Sequence, residues 1–179
     1  MLRRFLNVLE QSPGGLLHSL VSSVADAVTA LDAADTKVAF ATTQFDAVTG
    51  TTGATLTNVV GMVLTLAAGT YHFRLNLPGV ATANSGVKYG FKYTTTVLTS
   101  LEATGRGHTA SAVAVQHTTT ATDQAALFAQ TAAVIDTVIE GRMVVATGGT
   151  VQLQAAQNAA HVDTTSVYVG ASMTFTKVS

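Results

Sequence analysis

Ala146 to Gln157 reads "ATGGTVQLQAAQ". Paired glycines punctuate regular structure, so Gly148-Gly149 marks a turn. After it Val151, Leu153 and Ala155 alternate with Gln152 and Gln154. That is the two-residue period of a strand with one buried face. The apolar set is expected to fill a core. The glutamines fall on the opposite face, where water, a ligand or another copy of the chain could meet them.

The same period recurs outward from this stretch. Tyr71/Phe73/Leu75 and Tyr89/Phe91/Tyr93 alternate cleanly. Residues 62–66, 70–77, 87–99, 108–117, 136–146, 150–155 and 165–178 are β-branched and aromatic, with Gly, Asn or Asp turns between many of them. Each reads as a strand. In 122–135, "TDQAALFAQTAAVI", Ala and Gln favour helix while the surroundings favour strand; we read strand. Many strands with no helical repeats between them predict a mainly β, antiparallel sandwich. The count fits the eight strands of a jelly roll.

Upstream the period changes. Leu2, Phe5, Leu6 and Leu9 share one face of a short amphipathic helix over residues 2–11, and "SPGG" at 12–15 breaks it. Leu17, Leu20, Val24, Ala27, Leu31, Ala34 and Val38 then follow at alternating spacings of three and four. That is the seam of a short coiled coil. Val21 and Val28 widen it, which suits a bundle of three or more helices; a single helix packed on its own domain is the alternative. The expected organisation is an anchoring arm at 1–15, a helical segment at 16–41, a connector with a first strand at 42–59, and the jelly roll at 60–179.

Composition narrows the function classes. The 179-residue chain is 47% hydrophobic but only 11% charged, against about 25% charged in ordinary soluble domains. So little charge suits a chain that buries surface against other subunits; a soluble monomer with a Thr/Ser surface is the alternative. A net charge of −1 lacks the basic stripe of a nucleic-acid binder. Cysteine is absent, which removes thiol chemistry and disulfides. No apolar run has transmembrane length. Asn7, Glu10 and Gln11 interrupt the N-terminal apolar run, so no secretory signal is expected.

Nothing in the sequence assembles catalysis. No Ser sits in a Gly-x-Ser-x-Gly elbow. "TGTTGAT" at 49–55 lacks the Lys-Ser/Thr ending of a phosphate loop. Asp136 and Glu140 fall on one side of a strand, yet Glu140-Gly141-Arg142 points to local ion pairing. His161 and Asp163 supply at most two metal ligands in what reads as a polar turn. We expect no enzyme, no metal and no cofactor.

"AAGTYHFRLNL" (67–77) resembles the early Gly-x-Tyr-x-Phe strand of tumour-necrosis-factor-like jelly rolls, a family that includes complement-type globular heads. "GGTVQLQAAQNAAHVDTTSVYVGASMTFTKV" (148–178) resembles the closing strands of that fold. The version here looks most like the jelly-roll domains of tailed-phage virion proteins. Collagen-like repeats and cysteines, expected of a secreted signalling module, are missing. The resemblance implies a homotrimer with three sandwiches packed around an axis.

The expectation is therefore a trimeric capsid decoration or cement protein on the virion surface, made in the host cytoplasm. Its partners would be itself and the major capsid protein or another virion protein, not nucleic acid or membrane. Leu2, Arg3, Arg4, Phe5, Leu6 and Leu9 would dock into the shell as a helix in a groove; packing within the chain is the alternative. Gln152 and Gln154 would bond between copies. The competing expectation is a tail-fibre or head-fibre tip that recognises a host receptor or glycan. Tyr89, Tyr93 and Tyr168 are its only candidate stacking platforms.

Overall fold

The alternating runs become strands of two facing sheets. The computed structural model describes residues 36–47, 55–109, 113–119, 126–131 and 133–178. Among the described residues there is no helix. The strands are β1 Thr36–Phe40, β2 Phe45–Ala47, β3 Thr57–Leu66, β4 Gly69–Ala81, β5 Val87–Thr94, β6 Val97–His108, β7 Val113–Thr119, β8 Ala126–Gln130, β9 Val134–Thr147, β10 Gly149–Ala156, β11 Thr165–Val167 and β12 Ser172–Lys177. The larger sheet runs β1-β12-β4-β9-β6-β7, with β11 joining β4 to β2; the smaller runs β3-β10-β5-β8. Every pairing is antiparallel. The architecture is an antiparallel β sandwich.

Alternation decides what fills it. Tyr71, Phe73, Leu75 and Leu77 of β4 point inward and are buried, as are Tyr89 and Phe91 of β5 and Val151 and Leu153 of β10. Rings meet across the two sheets: Phe73 lies 5.6 Å from Phe91, and Phe175 5.8 Å from Phe91. Each large apolar side chain so buried contributes about 1.5–3 kcal/mol.

Two local devices fix the edges of the smaller sheet. Gly148 and Gly149 join β9 to β10, and both are demanded by close approach: a Cβ on Gly149 would lie 2.4 Å from the Thr94 carbonyl oxygen. Along β3 the register slips. Gln152 faces Val63, but Gln154 faces Asn58, so residues 59–62 bulge opposite Leu153. Gly61 sits in that bulge at φ +85°, a backbone conformation glycine adopts without strain.

Several expectations are corrected. Residues 36–40, assigned by the heptad spacing to the end of a helix, form strand β1 paired with β12. Val38 is therefore a half-exposed strand residue opposite Thr174 and not part of a helical seam. The sandwich begins at Thr36 and not at residue 60, and 42–59 contributes β2 and the start of β3. The run 108–117 is not one strand: β6 ends at His108 and β7 starts at Val113. The run 165–178 holds two strands, broken near Gly170, whose φ is +87°. Strand β6 from Ser100 to Gly107 was not foreseen. The stretch 122–135 does contain strand, as β8 and the first residues of β9. Leu17, Leu20, Val24, Ala27, Leu31, Ala34 and the anchoring set at residues 2–9 lie outside the described residues.

Candidate functional site

The outward-facing residues of the larger sheet form an ordered array, because six strands pair in continuous register. One row across β1, β12, β4, β9, β6 and β7 is Thr36, Thr176, His72, Arg142, Glu102 and Thr119. The next is Val38, Thr174, Arg74, Glu140, Thr104 and His117, and the third is Phe40, Ser172, Asn76, Val138, Arg106 and Val115. A shorter fourth row carries Pro78, Asp136 and His108. Among the described residues, every arginine and every glutamate belongs to this one face.

Some of these charges are already paired. Arg74 Nη1 lies 2.6 Å from Glu140 Oε1, and Arg74 Nε donates to Asn76 Oδ1 at 3.1 Å. His108 Nδ1 lies 2.6 Å from Asp136 Oδ1. Thr104 Oγ1 and His117 Nδ1 share a hydrogen bond of 3.1 Å. The Arg74 and Glu140 side chains are 56% and 45% exposed, so water screens the pair and it is worth at most about 1 kcal/mol. Arg106, Arg142 and Glu102 make no ion pair or side-chain hydrogen bond with a described residue. Between the charged columns lies an open depression of about 550 Å³, bounded by His72, Arg74, Glu102, Arg106, Glu140 and Arg142.

Asp136 and Glu140 do share this side of β9, as their spacing predicted. Four residues of strand separate them by about 13 Å, beyond the carboxylate separations at which glycosidases work. Glu140 is also engaged by the Arg74 guanidinium, and Asp136 by the His108 ring. No group of three or more acid, His or Cys side chains converges at metal-binding distance among the described residues.

The glutamines that opened the sequence reading are occupied within the chain. Gln152 Nε2 donates to the carbonyls of Val59 at 2.8 Å and Met62 at 3.0 Å, with Leu153 O at 3.1 Å. It thus satisfies the backbone groups that the β3 bulge releases. Gln154 is 4% exposed and donates to Asn58 Oδ1 at 2.9 Å, while its own Oε1 is buried with no acceptor role. Both amide nitrogens thus find acceptors within the chain.

A second polar cluster closes the turn after β4. Thr82 Oγ1 donates to Asp163 Oδ2 at 2.7 Å and Asn84 Nδ2 does so at 3.2 Å. These bonds, the Thr82 hydroxyl first, hold the Asp163 carboxyl below its ordinary range, and His161 beside it adds to the effect. Gln157 Nε2 reaches the Asp163 carbonyl, and Gln157 Oε1 accepts from His161 N at 2.9 Å. His161 and Asp163 are thus a hydrogen-bonded turn pinned to the β4–β5 connection. Of the tyrosines considered for stacking, Tyr89 is buried against Phe128. Burial holds its phenol above the ordinary value, the Thr137 hydroxyl opposing. Tyr93 packs on the core from its margin, and Tyr168 is 41% exposed.

No protein-family model matches the sequence, and no curated protein does. Among solved structures the chain is similar to the VP2 protein of infectious bursal disease virus, from the crystal structure of its subviral particle. Identity is 11% and the TM-score 0.19, over 80% of this chain and 41% of that one. This chain therefore spans about two fifths of that protein's length. A likeness at this level carries no argument about fold or role.

Proposed function

We propose that this chain is a structural virion protein of a tailed phage: a homotrimeric capsid decoration, or cement, protein. Its head is a jelly roll facing outward, and its N-terminal segment, including Leu2, Phe5, Leu6 and Leu9, grips the assembled shell. The observation that carries this reading is the strand order. Eight strands fall into the quartets β1-β12-β4-β9 and β3-β10-β5-β8, the interleaved double Greek key of a jelly roll. Strands β2 and β11 and the β6–β7 hairpin are additions to it. The stretches that resemble phage jelly rolls are β4, β10 and β12. A charge content of 11% supports a head that buries surface in an assembly. Such a protein stabilises a shell by mass action, since it binds the assembled lattice and not the free subunits.

The test is co-sedimentation of the full chain, and of a variant lacking residues 2–15, with assembled shells of the source phage. The full chain should sediment with the shells. The truncated protein should remain a folded trimer and stay in the supernatant. Undiminished binding by the truncation would overturn the anchoring role. Binding to host envelope material in place of shells would favour the receptor-recognising fibre tip.

A further inference from the structure

We propose that the groove across β4, β9 and β6 on the outer face of the larger sheet binds an acidic sugar, with Arg142 taking its carboxylate and Glu102 its hydroxyls. The inference goes beyond the virion reading and does not rest on it.

Register sets the groove. Its floor is the backbone of Phe73, Gly141 and Ala103, which face one another across three strands. One wall is His72, Arg142 and Glu102; the other is Arg74, Glu140 and Thr104, about 7 Å away along the strands. Between them lies the open depression of about 550 Å³, a volume typical of small-molecule sites. The two walls differ in commitment. In the second, Arg74 pairs with Glu140 at 2.6 Å, and Thr104 with His117 at 3.1 Å. In the first, Arg142 lies directly across from both His72 and Glu102. Yet none of these three exposed side chains makes an ion pair or hydrogen bond with a described residue.

The free groups define the ligand. Arg106 and Arg142 line the groove as uncommitted cations and Glu102 as an uncommitted anion, while Arg74 and Glu140 cancel. With the histidines neutral, the groove carries one unmatched positive charge. It therefore suits a monoanion and not a dense polyanion, which Glu102 and Glu140 would repel. A guanidinium is a planar fork that matches a carboxylate. An ionised carboxylate only accepts hydrogen bonds, so Glu102 needs donors, and hydroxyls supply them. The side chains of Phe73 and Ala103 turn into the core, so an apolar ligand finds nothing in the groove against which to bury itself. One carboxylate among several hydroxyls is the chemistry of an acidic sugar.

The test titrates the full chain with glucuronate, galacturonate and N-acetylneuraminate by ligand-observed NMR, with glucose and acetate as half-ligands. At least one acidic sugar should bind saturably, and glucose and acetate should each bind at least about tenfold more weakly. Arg142→Gln and Glu102→Gln should each weaken that sugar about tenfold or more, since each removes a charge-assisted contact. Both side chains are exposed and unpaired within the described residues, so both variants should keep the wild-type circular dichroism. Lys92→Gln removes a cation from β5 of the smaller sheet and should bind as wild type does. No saturable binding of any of the three acids would overturn the proposal. Acetate binding as tightly as the sugar would reduce the site to a simple anion contact, against it. Arg142→Gln and Glu102→Gln chains that bind like wild type would place the sugar elsewhere on the molecule, also against it. Native mass spectrometry of the same samples should show one oligomeric state throughout; lost binding accompanied by changed mass would assign the two residues to assembly and not to the ligand.

Discussion

Gln152 and Gln154 look equivalent in the sequence and should respond oppositely to replacement by leucine. Gln152 Nε2 has two hydrogens and three carbonyls within 3.1 Å. Two of those carbonyls belong to the β3 bulge, where the ladder leaves them without strand partners. Gln152→Leu removes both donors. A typical hydrogen bond contributes about 1 kcal/mol net, and a buried polar group left unpaired costs about 1–3 kcal/mol. Gln152 is only partly buried, so water would replace part of what is lost. The expected loss is about 2 kcal/mol. Gln154→Leu gives up one bond to the exposed Asn58 but also removes a buried, unsatisfied Oε1. Those effects offset, and the expected change is within about 0.5 kcal/mol of zero. Urea unfolding at fixed protein concentration measures both. With a slope near 2 kcal/mol/M, Gln152→Leu should lower the midpoint by about 1 M and Gln154→Leu by less than about 0.3 M. Equal shifts, or a larger one for Gln154, would refute the assignment of Gln152 to the bulge. If the glutamines joined copies instead, both variants would lose assembled mass before monomer stability changed.

Gly105→Ala should destabilise although alanine is the better strand residue. Its Cβ would lie 2.4 Å from Cδ2 of the fully buried Phe128 ring; overpacking of this kind costs about 1–3 kcal/mol, against roughly 0.5–1 kcal/mol recovered from the backbone. A calorimetric midpoint at or above wild type would show that the β6–β7 hairpin does not lie on β8 as described. Asp163→Asn should flatten the acid limb of the stability profile. The folded carboxyl titrates below its ordinary value of 3.8, so its contribution is complete above that value and disappears as pH falls through the lower folded one. Unfolding free energies measured between pH 5 and pH 2.5 that run parallel for wild type and Asp163→Asn would contradict this.

The sequence disclosed the strands whose alternation is strong and whose inward residues are large. Strands β4, β5, β9 and β10 are of this kind, and Tyr71, Phe73, Phe91, Val151 and Leu153 all point where their spacing placed them. Strand β6 escaped because Gly105 and Gly107 break its pattern. They are small because Phe128 of β8 lies over them, a reason some twenty residues away in the chain. Strand β1 was misread because Val38 completes a heptad and an alternation equally well, and a five-residue edge strand with one buried alanine gives little to separate them. The charged face had no local signal at all. Its rows draw one residue from each of six strands spread from Thr36 to Thr176, and only the register brings them together. The glutamines were placed on the correct face, but their partners depend on a bulge in β3 that nothing within 146–157 encodes.

The most direct measurement of the central claim is a cryo-electron microscopy reconstruction of the proposed virion with this chain traced in the density. The account predicts three copies of the sandwich around a local three-fold axis on the outer capsid surface, with residues 2–15 against the shell. Density for this chain confined to a tail or fibre tip, or single unassociated sandwiches, would contradict it.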